Sequence, residues 1–128
     1  MQFNEDILER TRSNTFFREV LTTGSHSQVV VMSIAVGGEI GLETHDGVDQ
    51  VLVFVAGKGV AILDGERSLV TAGRMVHVPA GIEHNIVNTG QMELKLYTIY
   101  APPQHAPGTI HRTKAEADAA ETREMVVA

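Results

Sequence analysis

The chain has 128 residues, 43% of them apolar and 5% aromatic, no cysteine or tryptophan, and a formal net charge of −6 at pH 7. That length suits one domain able to bury roughly two-thirds of its unfolded surface, and the missing cysteines exclude a disulfide framework and thiolate metal ligands. The acidic balance and scarce aromatics argue against a nucleic-acid partner; no run approaches the ~18–20 apolar residues of a membrane span, and "MQFNEDILERTR" has no apolar signal-peptide core, so a cytoplasmic chain without a membrane partner is expected.

Residues 3–15 are polar and irregular, with one helical turn expected after Asn4. From Phe17 the pattern changes to strand, turn over Gly24 to Ser27, and a second strand over Gln28–Val36. That second strand is continuously apolar, as in a strand buried on both faces. "GGE" at 37–39 breaks it, "IGLETH" reads as a short strand, and "DGVD" as a turn. "QVLVFVAGKG" is a strand and its break, with Leu52 and Phe54 following Gln50 at i+2 and i+4 and so lining the interior. "VAILDGERSLV" is a hairpin on Asp64-Gly65. Val76 and Val78 mark a strand that Pro79-Ala80-Gly81 ends, and "EHNIVN" begins another. "MELKLYTIYAPP" is a long alternating strand in which either Lys95 and Tyr97 or Leu94, Leu96 and Thr98 face inward. Punctuated strands every 6–12 residues indicate an all-β sandwich or barrel. "PPQHAPGTIHR" is a loop laid over it, and a helix is expected over about 114–124, opened by a T-x-x-E capping box at Thr113 and Glu116.

Glu43 and His45 stand at i and i+2, so on a strand they face the same side, roughly 6.5–7 Å apart. Gln50 opens the next strand, and His84 starts a distant one after a tight turn. Two imidazoles, a carboxylate and an amide oxygen form a sulfur-free set suited to Mn, Fe, Ni, Co or Zn. Glu43 is alternatively a general base beside the ion, and Gln50 alternatively a partner that orients a ligand.

The stretch from Gly73 to Asn88 resembles the second motif of the cupin family, G-x5-P-x-G-x2-H-x3-N, filled at every fixed position by Gly73, Pro79, Gly81, His84 and Asn88. Average residue usage makes that a chance match about once in a million starts. The first motif, G-x5-H-x-H-x3,4-E-x6-G, is matched by Gly37, His45 and Gly57, with Glu43 in the first histidine slot and Gln50 in the glutamate slot. The resemblance implies a single cupin domain over 1–128, an all-β double-stranded β-helix (a jelly-roll barrel) with a short C-terminal helix, its motif region at 37–88 and its C-terminal loop and helix at about 101–124. It also implies one divalent transition metal on Glu43, His45, Gln50 and His84, and a homodimer. The wider pattern is similar to small bacterial cupins labelled mannose-6-phosphate-isomerase-like.

Three functions follow from this resemblance: a metal-dependent, sugar or sugar-phosphate isomerase-like enzyme on a small carbonyl or hydroxyl compound; a non-haem iron oxygenase; and a non-enzymatic cupin that binds a small ligand. Lys95, Tyr97, His105 and His111 are candidate catalytic groups, the two histidines only if their loop covers the barrel mouth. Asn88, Gly73, Pro79 and Gly81 are read as structural, His77 as facing solvent or an interface, and His26 as a turn residue. A phosphorylated substrate needs a cation in the mouth; Lys95, Arg67, Arg74 and Arg112 are the candidates, none clearly inward.

Overall fold

The computed structural model describes residues 2–127; Met1 and Ala128, the ends of the expected domain, lie outside the described residues. Helix α1 spans Ile7–Ser13. Strands β1 (Arg18–Thr23), β2 (Gln28–Ile34), β3 (Asp49–Ala56), β4 (Lys58–Leu63), β5 (Glu66–Thr71), β6 (Met75–Val78), β7 (His84–Asn88), β8 (Leu94–Ala101) and β9 (Ile110–His111) follow, and helix α2 spans Lys114–Val127. One sheet has the order β6-β3-β8-β2-β1-β9 and the other β5-β4-β7. The architecture is the expected all-β cupin barrel. Among the described residues no helix is long and apolar enough to cross a membrane.

Strand β3 buries Gln50, Leu52 and Phe54, and β8 buries Leu94, Leu96, Thr98 and Tyr100. Their register sets Phe54 against Leu96, Leu52 against Thr98 and Gln50 against Tyr100. The inward row therefore grades from apolar at one end to polar at the other, and the polar end carries the site. Val30, Met32 and Ile34 of β2 and Ile86 of β7 complete the apolar part.

Several expectations change. Lys95 and Tyr97 occupy the outward phase of β8, because Leu94, Leu96 and Thr98 take the core. The Lys95 ammonium donates to the carbonyls of Arg12 and Asn14, both at 2.8 Å, at the end of α1. The expected single turn after Asn4 is a seven-residue helix, capped by Asp6 Oδ1 accepting from Glu9 N at 3.1 Å. "IGLETH" is no regular strand; it holds one isolated bridge, Glu43 to His84, with a second, Glu39 to Val87, just before it. Gly41 explains the break: its φ of +109° leaves the strand region, and its N–H is taken by Asn85 Oδ1 at 2.9 Å. The loop expected before α2 contains β9, which pairs with β1 through Arg18 opposite His111. The continuous burial of β2 has a cause within the chain, since α1 and the residues after it lie over its outer face and Phe16 O accepts from Ser33 N at 3.1 Å. That burial requires no second copy.

The hairpin falls where expected, with Asp64 (φ +50°) and Gly65 (φ +82°) both left-handed, as a type I′ turn needs. Half of the T-x-x-E box at Thr113 forms: Glu116 N donates to Thr113 Oγ1 at 3.1 Å, while the Glu116 carboxylate accepts from Arg112 N at 3.4 Å, one residue before the cap.

Candidate metal centre and pocket

His84 opens β7, and a reciprocal pair of backbone bonds, both 2.9 Å, joins it to Glu43. Gly81 N donates to His45 O at 3.0 Å, and Ala80 N donates to Asp49 Oδ1 at 2.9 Å. The Pro79-Ala80-Gly81 turn thus ties the His45 backbone and the Asp49 side chain in place around His84. Asn88 serves as the expected structural residue. Its Nδ2 donates to Ile34 O at 2.9 Å and to Met92 O at 2.9 Å, while its Oδ1 accepts from Gly90 N at 2.9 Å.

Three of the expected ligands meet. His45 Nε2 lies 3.2 Å from Glu43 Oε2, and the His45 and His84 rings are 5.3 Å apart. His84 Nδ1 faces Ile82 O at 2.9 Å. A carbonyl only accepts, so Nδ1 carries the proton and Nε2 presents a lone pair. Gln50 is buried on the inward face of β3; its Nε2 donates to Thr98 Oγ1 at 3.1 Å, and its Oε1 has no partner. The donor chemistry fits a divalent ion: one anionic oxygen, two imidazole nitrogens and an orphaned amide oxygen. The side chains are not drawn into a ready cage. Glu43 and His45 engage each other, and among the described residues no group of three His, Cys, Asp or Glu stands preformed to hold an ion.

Burial pushes the Glu43 carboxyl up. The His45 hydrogen bond, with the fields of His45, Arg18 and His84, outweighs that and leaves it below its ordinary value. Beyond His45 the rings continue. Tyr100 is edge-on to His45 at 5.9 Å, and His105 is edge-on to Tyr100 at 5.1 Å. Burial raises the Tyr100 hydroxyl, so it stays protonated at neutral pH. Burial, with the nearby Arg18 charge, lowers His105 to about 3, so its ring is neutral there.

A cavity of about 420 Å³ opens beside Glu43 and His45, lined also by Arg18, His105, His111 and Glu121 among others; Gln50, His84 and Tyr100 are not among its walls. The loop candidates His105 and His111 are therefore at the mouth, whereas Lys95 and Tyr97 are not among its walls. A larger groove of about 540 Å³ runs along β5 and β6, with Arg67, Arg74 and His77 in its lining. It holds none of the candidate ligands. Arg67 and Arg74 thus sit away from the site, and Arg112 is exposed. The cation inside the mouth is Arg18, which sequence reasoning missed. The signal was present: Arg18 is in phase with inward Val20 at the start of β1.

The model of the family described as "Cupin domain" matches residues 30–100. An uncharacterised Bacillus subtilis protein, YrkC, is 46% identical over 93% of this chain and 67% of its own length. A crystal structure of BH2720 from Bacillus halodurans is 44% identical with a TM-score of 0.92, covering 93% of this chain and 95% of that one. A predicted oxalate decarboxylase from Thermotoga maritima shares the fold at 24% identity, with a TM-score of 0.59 over 62% of this chain and 69% of that one.

Proposed function

The chain belongs to the cupin family, and from there we propose that it binds one divalent transition metal (Mn, Fe, Ni, Co or Zn) through Glu43, His45, Gln50 and His84. On this reading it acts on a small carbonyl- or hydroxyl-bearing molecule in the pocket beside Glu43 and His45, as a sugar or sugar-phosphate isomerase-like enzyme akin to the mannose-6-phosphate-isomerase-like cupins. The observation that carries the reading is the convergence of Glu43, His45 and a His84 whose Nδ1 is fixed on Ile82 O at 2.9 Å, leaving Nε2 as the donor. A bound divalent ion polarises a carbonyl or hydroxyl oxygen and so acidifies the adjacent C–H or O–H. The chain supplies the rest. Neutral His105 is a hydrogen-bond donor or acceptor in the pocket wall, and Tyr100, buried beyond the wall with its ring edge-on to His105, stays protonated. The whole chain, 1–128, is taken as one domain.

A second reading, a non-haem iron oxygenase, draws on one observation. The Glu43 carboxylate lies 3.2 Å from His45, whose ring is 5.3 Å from that of His84, a two-histidine, one-carboxylate composition, while the Gln50 amide is engaged with Thr98 at 3.1 Å. A homodimer, with exposed Leu69 and Met75 offering apolar contact, and a cytoplasmic location, in keeping with the absence of cysteine, complete the proposal. Light scattering that finds only a 13.9 kDa particle at micromolar concentration removes the dimer.

The test is elemental analysis of protein purified without chelator or affinity-column metal. The expected result is about one transition metal per chain, with iron favouring the second reading. Metal-free protein that also takes up none of Mn, Fe, Co, Ni or Zn overturns both metal readings and leaves a non-enzymatic ligand-binding cupin.

A further inference from the structure

Among the described residues four buried side-chain polar atoms have no partner: Arg18 Nε, Ser33 Oγ, Gln50 Oε1 and His105 Nε2. Gln50 Oε1 belongs to the metal set above. Arg18 and His105 both line the 420 Å³ pocket. We propose that Arg18 and His105 form an anion-binding end of this pocket, which takes the carboxylate or phosphate group of the substrate. The proposal rests on the reading of this cavity as the substrate site.

Arg18 is only 8% exposed. A guanidinium stays charged, and a buried charge is unfavourable unless paired. No carboxylate lies within 4.0 Å of it among the described residues. Its other contacts fix the group without neutralising it. Nη1 donates to His111 Nδ1 at 3.2 Å, and the guanidinium carbon sits 5.2 Å from the centre of the Phe17 ring. What remains is the edge carrying Nε, which in an arginine fork pairs with a carboxylate or phosphate. His105 is held as firmly. Its backbone N donates to Gln28 Oε1 at 3.0 Å, its carbonyl accepts from Gln28 Nε2 at 2.7 Å, and its ring stands edge-on to Tyr100. Gln28 itself is buried. The His105 Nε2 therefore points from a fixed frame, and in the Nε2–H tautomer it is a neutral donor in the same pocket as the arginine. Glu43 faces the same cavity but is engaged with His45. An anion held at Arg18 would place the rest of a small substrate against Glu43 and His45, which line the same cavity.

The test is calorimetric titration with inorganic phosphate and, separately, with acetate. It uses chelator-treated and Mn-loaded protein, as wild type, Arg18→Gln and Arg18→Lys. At least one anion is expected to bind the wild type in both preparations. Arg18→Gln should weaken it at least tenfold and Arg18→Lys less, with metal uptake unchanged. The tighter of the two anions identifies the substrate group as phosphate or carboxylate. Equal affinity in Arg18→Gln, or no binding of either anion to folded wild type, overturns the proposal. Should Arg18→Gln fail to fold, the Arg18 Nε–H resonance of the wild type is followed instead. A saturable shift on adding the anion supports the assignment, and an unmoved resonance overturns it. The two readings fail separately: lost metal uptake with retained anion binding to chelated protein removes the metal, and the reverse removes the anion site.

Discussion

Glu43 lies 3.2 Å from His45 and is held below its ordinary carboxyl value despite burial, so it is an anion at neutral pH. As a ligand it loses that anionic oxygen in Glu43→Gln, and metal affinity should fall about 10–100-fold or more, judged by the losses that even outer-shell changes cause. As a general base it would keep the metal and lose roughly 10²–10⁴ in rate. Metal titration of Glu43→Gln and Glu43→Ala separates the two without knowledge of the substrate; wild-type affinity in both removes the ligand role. Asn88 presents the opposite case, a polar residue spent wholly on structure. Asn88→Ala strands Ile34 O, Met92 O and Gly90 N and should cost about 2–4 kcal/mol, by urea denaturation, with metal affinity retained in the folded fraction. The positions of His45 and His84 were legible because motif spacing ties them to the segment before β3 and to the turn before β7. Arg18 was not, since a lone arginine at a strand start reads as solvated until its neighbours close over it.

Alternation made β3, β8 and the Asp64-Gly65 hairpin readable, because a period of two and a turn needing positive φ leave few alternatives. The failures share a cause, since each depends on distant partners. Strand β9 exists because Arg18 and Glu19 offer it an edge. "IGLETH" fails as a strand because Asn85, far along the chain, takes the Gly41 N–H. Lys95, a catalytic candidate by sequence, instead ties β8 to α1, donating to two carbonyls at the helix end. Cations there also meet the negative end of the helix dipole. Lys95→Met should therefore cost about 1–3 kcal/mol and speed hydrogen exchange across Ile7–Ser13, with anion and metal binding unchanged. An effect on ligand binding without one on α1 exchange would return Lys95 to the site.

For the whole molecule, acid is the informative stress. His105 is lowered to about 3 by burial and by the Arg18 charge, against about 6.5 in an unfolded chain. Between those values the unfolded state binds the extra proton, so stability present above pH ~6.5 is lost as pH falls toward ~3. Glu43, also lowered, adds a loss in the same direction below its ordinary range. In chelated protein His105→Gln should lose less stability between about pH 7 and pH 4 than wild type, measured by urea denaturation at both. Equal losses would show that His105 titrates normally. The pocket is assembled from unequal lengths of chain. The metal candidates come from positions 43 to 84, an irregular segment and the starts of β3 and β7, whereas the wall facing them comes from position 18 and from 104 to 121. On the proposed reading, chemistry and selectivity are thus written in separate segments. Substitution or recombination of the terminal segments can change which molecule is admitted while the reacting centre is inherited intact, and relatives that keep 43–84 but differ at 18 and 105 should share a metal and differ in diet.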